Sequence, residues 1–160
     1  MVKVIGVDPG LAESGIGIIE GRRSGIGGFS YGCIRTSRNA SPPQRLERIY
    51  TKFSELLSQQ HPDLMVIEDV YVLKAYPLSA IILGKVVGVF QLAAFQHGLR
   101  MLDVPVREAK QVLTGSGTAS KMQLEAAVRH TLKLEQAIRP YHASDALALA
   151  LIGVSRFPKG

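Results

Sequence analysis

The sequence predicts an α/β domain built on a mixed five-stranded sheet with helices on both faces. Three features predict it. The first third consists of β-branched segments joined by glycines, as in consecutive hairpin strands. After it the apolar spacing switches repeatedly between helical and strand period. The run DLMVIE at 63–68 is apolar almost without interruption, the pattern of a strand covered on both faces.

The elements follow in order. Residues 2–7 form a β-branched strand, 15–20 (GIGIIE) a second after the turn DPGLAES, and 27–36 (GGFSYGCIRT) a third. At 43–60 the period changes: Leu46, Ile49, Tyr50, Phe53, Leu56 and Leu57 recur every three or four residues, which makes an amphipathic helix. Ser41 is placed to cap it, with Pro42 and Pro43 at its start. The strand 63–68 comes next, then a helix over 79–97 that is apolar nearly all round, which suits either the centre of a core or half of a subunit interface. A strand at 101–106 and helices at 121–132 and 143–155 close the chain, with no internal repeat or linker.

At 160 residues the chain is read as a single domain, 1–160, large enough for a hydrophobic core. Hydrophobic residues make up 46% and charged residues 20%, which excludes a disordered segment. No apolar run is read as long enough to span a membrane, and the start MVKVIGVDPG lacks the features of a signal peptide. Cys33 is the only cysteine, which excludes an internal disulfide and a cysteine-cluster metal site. The expected setting is the cytoplasm, with no membrane partner. A formal charge of +6 and a pI near 9.7 favour polyanions, although the same charge also serves solubility.

The chemistry lies in four side chains. Asp8 ends the first strand and Glu68 the fourth; if those strands are parallel neighbours, both carboxylates leave the same edge of the sheet. His142 and Asp145 are three apart at the start of the last helix and share one face. Four such ligands from three elements could surround two divalent cations about 3.5–4 Å apart, as metal-assisted phosphodiester cleavage requires. Each residue also has a plainer reading: Asp8 as a turn former before Pro9-Gly10, Asp145 as a first-turn acid, His142 as a structural histidine. Asp69 is read as solvated. GIGIIEG fails the dinucleotide-binding pattern, GSGTASK fails the P-loop pattern, and Asn39-Ala40-Ser41 is a sequon without a secretory context.

GVDPG around Asp8, GCIRT at 32–36, the PD…IED element ending at Glu68, VREAKQVLTGSGTASK at 106–121 and HASDALALAL near the end occur in one order. Together, over roughly residues 2–153, they resemble the bacterial crossover junction endodeoxyribonuclease RuvC family, the Holliday-junction resolvases. The resemblance implies a ribonuclease-H-like fold, a homodimer, and paired symmetric nicking of four-way DNA junctions with Mg²⁺ or Mn²⁺, two ions per site. It also implies cooperation with the junction-branch-migration complex. The family's acidic positions fall on Asp8, Glu68 and Asp145, and its fourth on His142, where many members have Asp. Lys121 is implied at the scissile phosphate and Lys110 as a DNA contact. Tyr71 falls where the family places a ring that stacks at the junction centre, with Tyr76 a competitor, and Lys74 is a nearby backbone contact. Three other readings share parts of this pattern: a related nuclease for RNA or RNA–DNA hybrid, a non-catalytic basic DNA-binding module, and an actin-like ATPase. The last needs a second domain, for which the chain is too short.

Overall fold

A computed structural model describes residues 1–69 and 77–157. Three strands open the chain: β1 (Val2–Asp8), β2 (Glu13–Arg22) and β3 (Gly25–Arg35). Helix α1 (Pro42–Gln60), strand β4 (Leu64–Glu68), helix α2 (Pro77–Gln96) and strand β5 (Arg100–Val104) alternate after them. Three helices finish it: α3 (Val106–Thr114), α4 (Lys121–Thr131) and α5 (Tyr141–Arg156). The sheet order is β3-β2-β1-β4-β5. β1, β2 and β3 pair antiparallel, while β1–β4 and β4–β5 are parallel. The mixed five-stranded sheet read from the sequence is the one observed.

Side-chain parity divides the core. Val2, Val4, Leu64 and Val66 face α3, α4 and α5, whereas Ile5, Val7, Met65 and Ile67 face α1 and α2. This period of two on β1 and β4, with both parities apolar, is what places helices on both faces. On one side Phe53 of α1 meets Phe90 of α2 edge to face, ring centres 4.8 Å apart. Helix α1 begins as its sequence requires. Ser41 accepts from Gln44 N–H, the Gln44 side chain returns the bond to the Ser41 N–H, and Pro42 opens the first turn.

Helix α5 is the hub of the other face. Residues 143–154 are buried throughout. Its alanines meet glycines of the sheet, so the backbones lie almost in contact: a Cβ on Gly6 would stand 1.9 Å from the Ala146 carbonyl oxygen.

Two readings of the sequence are corrected. Helix α3 was not anticipated: it begins directly after Pro105 and is only nine residues long, too short for its period to stand out. The expected strand 101–106 accordingly ends at Val104. The view that no apolar run reaches membrane-spanning length is also overturned, because α2, with 20 residues, passes by length and composition. Lys85 and Gln91 interrupt the run without lowering its average enough. One face of α2, with Val86, Phe90, Ala93 and Ala94, is buried in the core. On its other side Leu78, Ile81, Ile82, Leu92 and Phe95 are exposed.

Candidate active site

The parallel pairing of β1 with β4 sets Val7 beside Ile67, so Asp8 and Glu68 follow as neighbours at the same sheet edge. The turn after Asp8 is closed by Ser14, whose fully buried hydroxyl donates to the Gly10 carbonyl at 2.7 Å and accepts from the Gly10 N–H at 3.0 Å. On the other side of β1, Asp8 pairs with Gly15 of β2. Here the first turn of α5 crosses the sheet. A Cβ on Gly15 would lie 1.9 Å from the His142 carbonyl oxygen, so only glycine lets the helix descend this far. The descent delivers His142, whose Nδ1–H donates to the Asp8 carboxylate at 2.7 Å, and Asp145 one turn further on.

The segment before α5 is held by a buried carboxylate. Glu125 of α4 accepts from the Ile138 N–H at 2.9 Å and from Arg129 Nε at 3.1 Å. Its sequence context, LEAAV inside a helix, gave no sign of this role.

The electrostatics are those of crowded acids. Burial pushes the Glu68 carboxyl far above its ordinary range, to about 9, and the adjacent Asp8, sharing a hydrogen bond with it, pushes the same way. Burial raises Asp145 to about 6, with the Asp8 charge adding to it. His142 is raised as well, chiefly by its hydrogen bond to Asp8. Lys121 opposes the first two shifts and Lys110 opposes that of Asp145, so both lysines face this acidic group. Cys33, on β3 nearby, is pushed up to about 11 by burial and by Glu13, and its thiol stays protonated.

The structure therefore gathers Asp8, Glu68, His142 and Asp145 at one edge, with Lys121 and Lys110 within electrostatic reach. Tyr71, Lys74 and Tyr76 lie outside the described residues. Asp69 is exposed, as read. The four side chains are gathered but not closed: among the described residues no three acidic, imidazole or thiol groups already form an ion-holding cage. The donor set nevertheless fits a divalent cation. Asp145 Oδ1 is buried with no hydrogen-bond partner, and oxygen ligands carrying surplus negative charge suit a hard ion. Sequence reading missed Glu13, which pairs with Arg35 at 2.5 Å and also raises His142. The pair follows from the Glu13–Arg35 register of the β2–β3 hairpin, which only the fold sets.

Known proteins resemble this chain over most of its length. The profile of the family described as crossover junction endodeoxyribonuclease RuvC matches residues 4–153. Crossover junction endodeoxyribonuclease RuvC of Moorella thermoacetica is 36% identical, covering 97% of this chain and 92% of the relative. That of Alkaliphilus metalliredigens is 34% identical, covering 92% and 90%. Among solved structures, Thermus thermophilus RuvC in complex with a Holliday junction substrate superposes with a TM-score of 0.83 at 27% identity, covering 94% of this chain and 91% of that one. The free Thermus thermophilus protein gives 0.79 at 30% identity, covering 93% and 91%. A profile match over nearly the whole chain, the same ribonuclease-H-like fold and the acids at one sheet edge agree: this chain belongs to the crossover junction endodeoxyribonuclease RuvC family.

Proposed function

We propose that this protein is a metal-dependent endodeoxyribonuclease that resolves four-way DNA junctions by paired symmetric nicks, in DNA recombination and repair. The observation that carries the reading is the meeting of Asp8, Glu68, Asp145 and His142 at one sheet edge, in a chain whose family profile spans residues 4–153.

Asp8, Glu68, Asp145 and His142 are the residues that would hold Mg²⁺ or Mn²⁺, two ions per site. Bound there, the cations supply Lewis acidity and neutralise charge on the scissile phosphate. The protein's own groups do the rest. The Asp8 carboxylate fixes the His142 ring through Nδ1 and leaves Nε2 as its other donor atom. Lys121, at the first turn of α4 and set against the acids, stabilises negative charge on the phosphate during cleavage. Lys110 and Lys74 contact the backbone, and Tyr71 stacks at the junction centre.

Two symmetric cuts call for two sites related by a two-fold axis, and a homodimer supplies them. The exposed face of α2 supports it. Leu78, Ile81, Ile82, Leu92 and Phe95 are exposed there, and the space above Gly84 and Gly88 is open, so a second helix can come close. The dimer works on the junction together with the branch-migration complex, in the cytoplasm. The chain as a whole, 1–160, acts as one nuclease domain.

The test offers the wild-type protein a synthetic four-way junction, a linear duplex and an RNA–DNA hybrid, with and without chelator. Paired nicks in the junction alone, abolished by chelation, are expected. Cutting of the hybrid with an untouched junction would move the assignment to a ribonuclease, and binding without any cutting would make the chain a DNA-binding module.

A further inference from the structure

We propose that the cleft between the end of β3 and the start of α1 is a second phosphate site, where Arg35, Arg45 and Arg48 grip the DNA backbone a few nucleotides from the cut. The cleft is open, about 430 Å³ in volume, and lined by Arg35, Thr36, Ser37, Gln44, Arg45 and Arg48, together with Ala40. Among the described residues no carboxylate lines it; Glu13 touches it only through its pair with Arg35. Three cations, two hydroxyls and an amide around one opening suit an anion with several acceptor oxygens, and they suit neither a metal nor an apolar ligand.

The way the arginines are held is the stronger argument. Each is pinned by Nε: Arg35 to Glu13 at 2.5 Å, Arg45 to the Thr36 hydroxyl at 2.8 Å, Arg48 to the Arg35 carbonyl at 2.7 Å. The Thr36 hydroxyl in turn donates to the Leu11 carbonyl. Among the described residues, the terminal Nη groups of these three arginines make no hydrogen bond within the protein. A guanidinium anchored at Nε has already lost much of its side-chain freedom, while the paired donors that match phosphate geometry remain available.

The cleft also lies along a continuous path from the acids. Asp8 pairs with Gly15, Gly15 with Cys33, and Arg35 is two residues further along β3. Two inter-strand spacings and two residues of rise put Arg35 about 12 Å from Asp8. At about 3.4 Å of rise per nucleotide, that is three to four base steps along one strand. Glu13 stands between the two places, since it pairs with Arg35 and lies two residues before Gly15, the partner of Asp8.

This inference rests on the junction-cutting activity proposed above, and the experiment separates the two. Binding to a synthetic four-way junction is measured in chelator across a range of salt for wild type, for the double variant Arg45→Gln/Arg48→Gln, and for Ser37→Glu. Ser37→Glu sets a carboxylate in the cleft and leaves every arginine anchor intact. Removing two phosphate contacts is expected to lower the slope of log K against log salt by about 1.8, and affinity by about 60-fold at 0.1 M salt. Ser37→Glu is expected to weaken binding and lower the slope by about one contact's worth. If wild type binds and cuts the junction while Ser37→Glu keeps both slope and affinity, the cleft carries no phosphate and the inference fails alone. Weakened binding with an unchanged slope overturns it too, because the contact is then not ionic. Wild type that neither binds nor cuts the junction overturns the activity instead.

Discussion

Asp8 organises the chemistry through three neighbours. It accepts from His142, shares a hydrogen bond with Glu68 and raises Asp145. Changing Asp8→Asn removes one oxygen ligand and one charge with little change in shape. Cleavage of a junction is expected to fall by at least about 10³-fold, equivalent to roughly 4 kcal/mol of barrier. Junction binding in chelator should persist, because the role proposed for the carboxylate is to hold the ions rather than the duplex; retained cutting would remove Asp8 from the mechanism. The same variant should lower the His142 titration midpoint, since the bond to Asp8 is the main cause that raises it, and NMR of the imidazole protons checks this. His142→Asp keeps a competent ligand but adds another negative charge to the group. It is expected to cut, with a higher metal requirement and a changed pH profile. A well-folded His142→Asp protein with no activity at any metal concentration would show that the imidazole is not interchangeable. Asp8 and Glu68 were legible at this scale because each ends a recognisable strand. Glu125 and Glu13 were not, since a buried carboxylate and a cross-strand pair look like ordinary surface charges until their partners are known.

Among the elements, the seating of α5 on β1 and β2 decides the site. Gly6 and Gly15 remove the side chains that would hold the helix away, and the alanines of α5 complete the fit. Gly15→Ala would push the turn carrying His142 off the sheet. The expected cost is about 1–3 kcal/mol, or roughly 2–4 °C of melting temperature per kcal/mol, with cleavage falling more steeply than stability. Calorimetry beside a cleavage assay tests it, and a variant with normal melting and normal cutting would show that α5 need not lie this close. The sequence pattern found α1 well, because a capping box, an N-terminal proline and a 3.6-residue apolar period all agree there. It missed α3, where nine residues offer barely two turns of pattern.

For the molecule as a whole, two properties follow. The first concerns assembly. The outer face of α2 carries Ile81 and Phe95, which are 58% and 73% exposed, seven times two residues apart on one side of the helix. For the homodimer proposed above, a double change, Ile81→Glu with Phe95→Glu, is expected to give a folded monomer by sedimentation, with paired nicking replaced by uncoupled single nicks. Persistence of a dimer would place the interface elsewhere. The second concerns pH. Without metal, Glu68, Asp145 and His142 all hold protons more tightly folded than unfolded, so folding takes up protons and stability falls as pH rises. For Asp145 the fall runs from its ordinary 3.8 to about 6, and for Glu68 from 4.5 to about 9. The metal-free protein should therefore melt lower at pH 9 than at pH 6. Added Mg²⁺ should raise the melting temperature more at pH 9, where it competes with fewer protons. A melting temperature insensitive to both would argue against ion binding by these acids.

The sequence alone determined the order of the five strands and of α1, α2, α4 and α5, the division of β4 between two apolar faces, and the identities of the four clustered side chains. These depend on local period and on residue chemistry, which can be read one segment at a time. Tertiary structure decided how close the four come, since that depends on β1 and β4 being parallel neighbours and on glycines admitting α5 to the sheet. It also decided that α2 keeps an apolar face outside the core and that three arginines share one cleft. Those outcomes join residues far apart in the chain, and spacing along a sequence carries no record of distance across a fold.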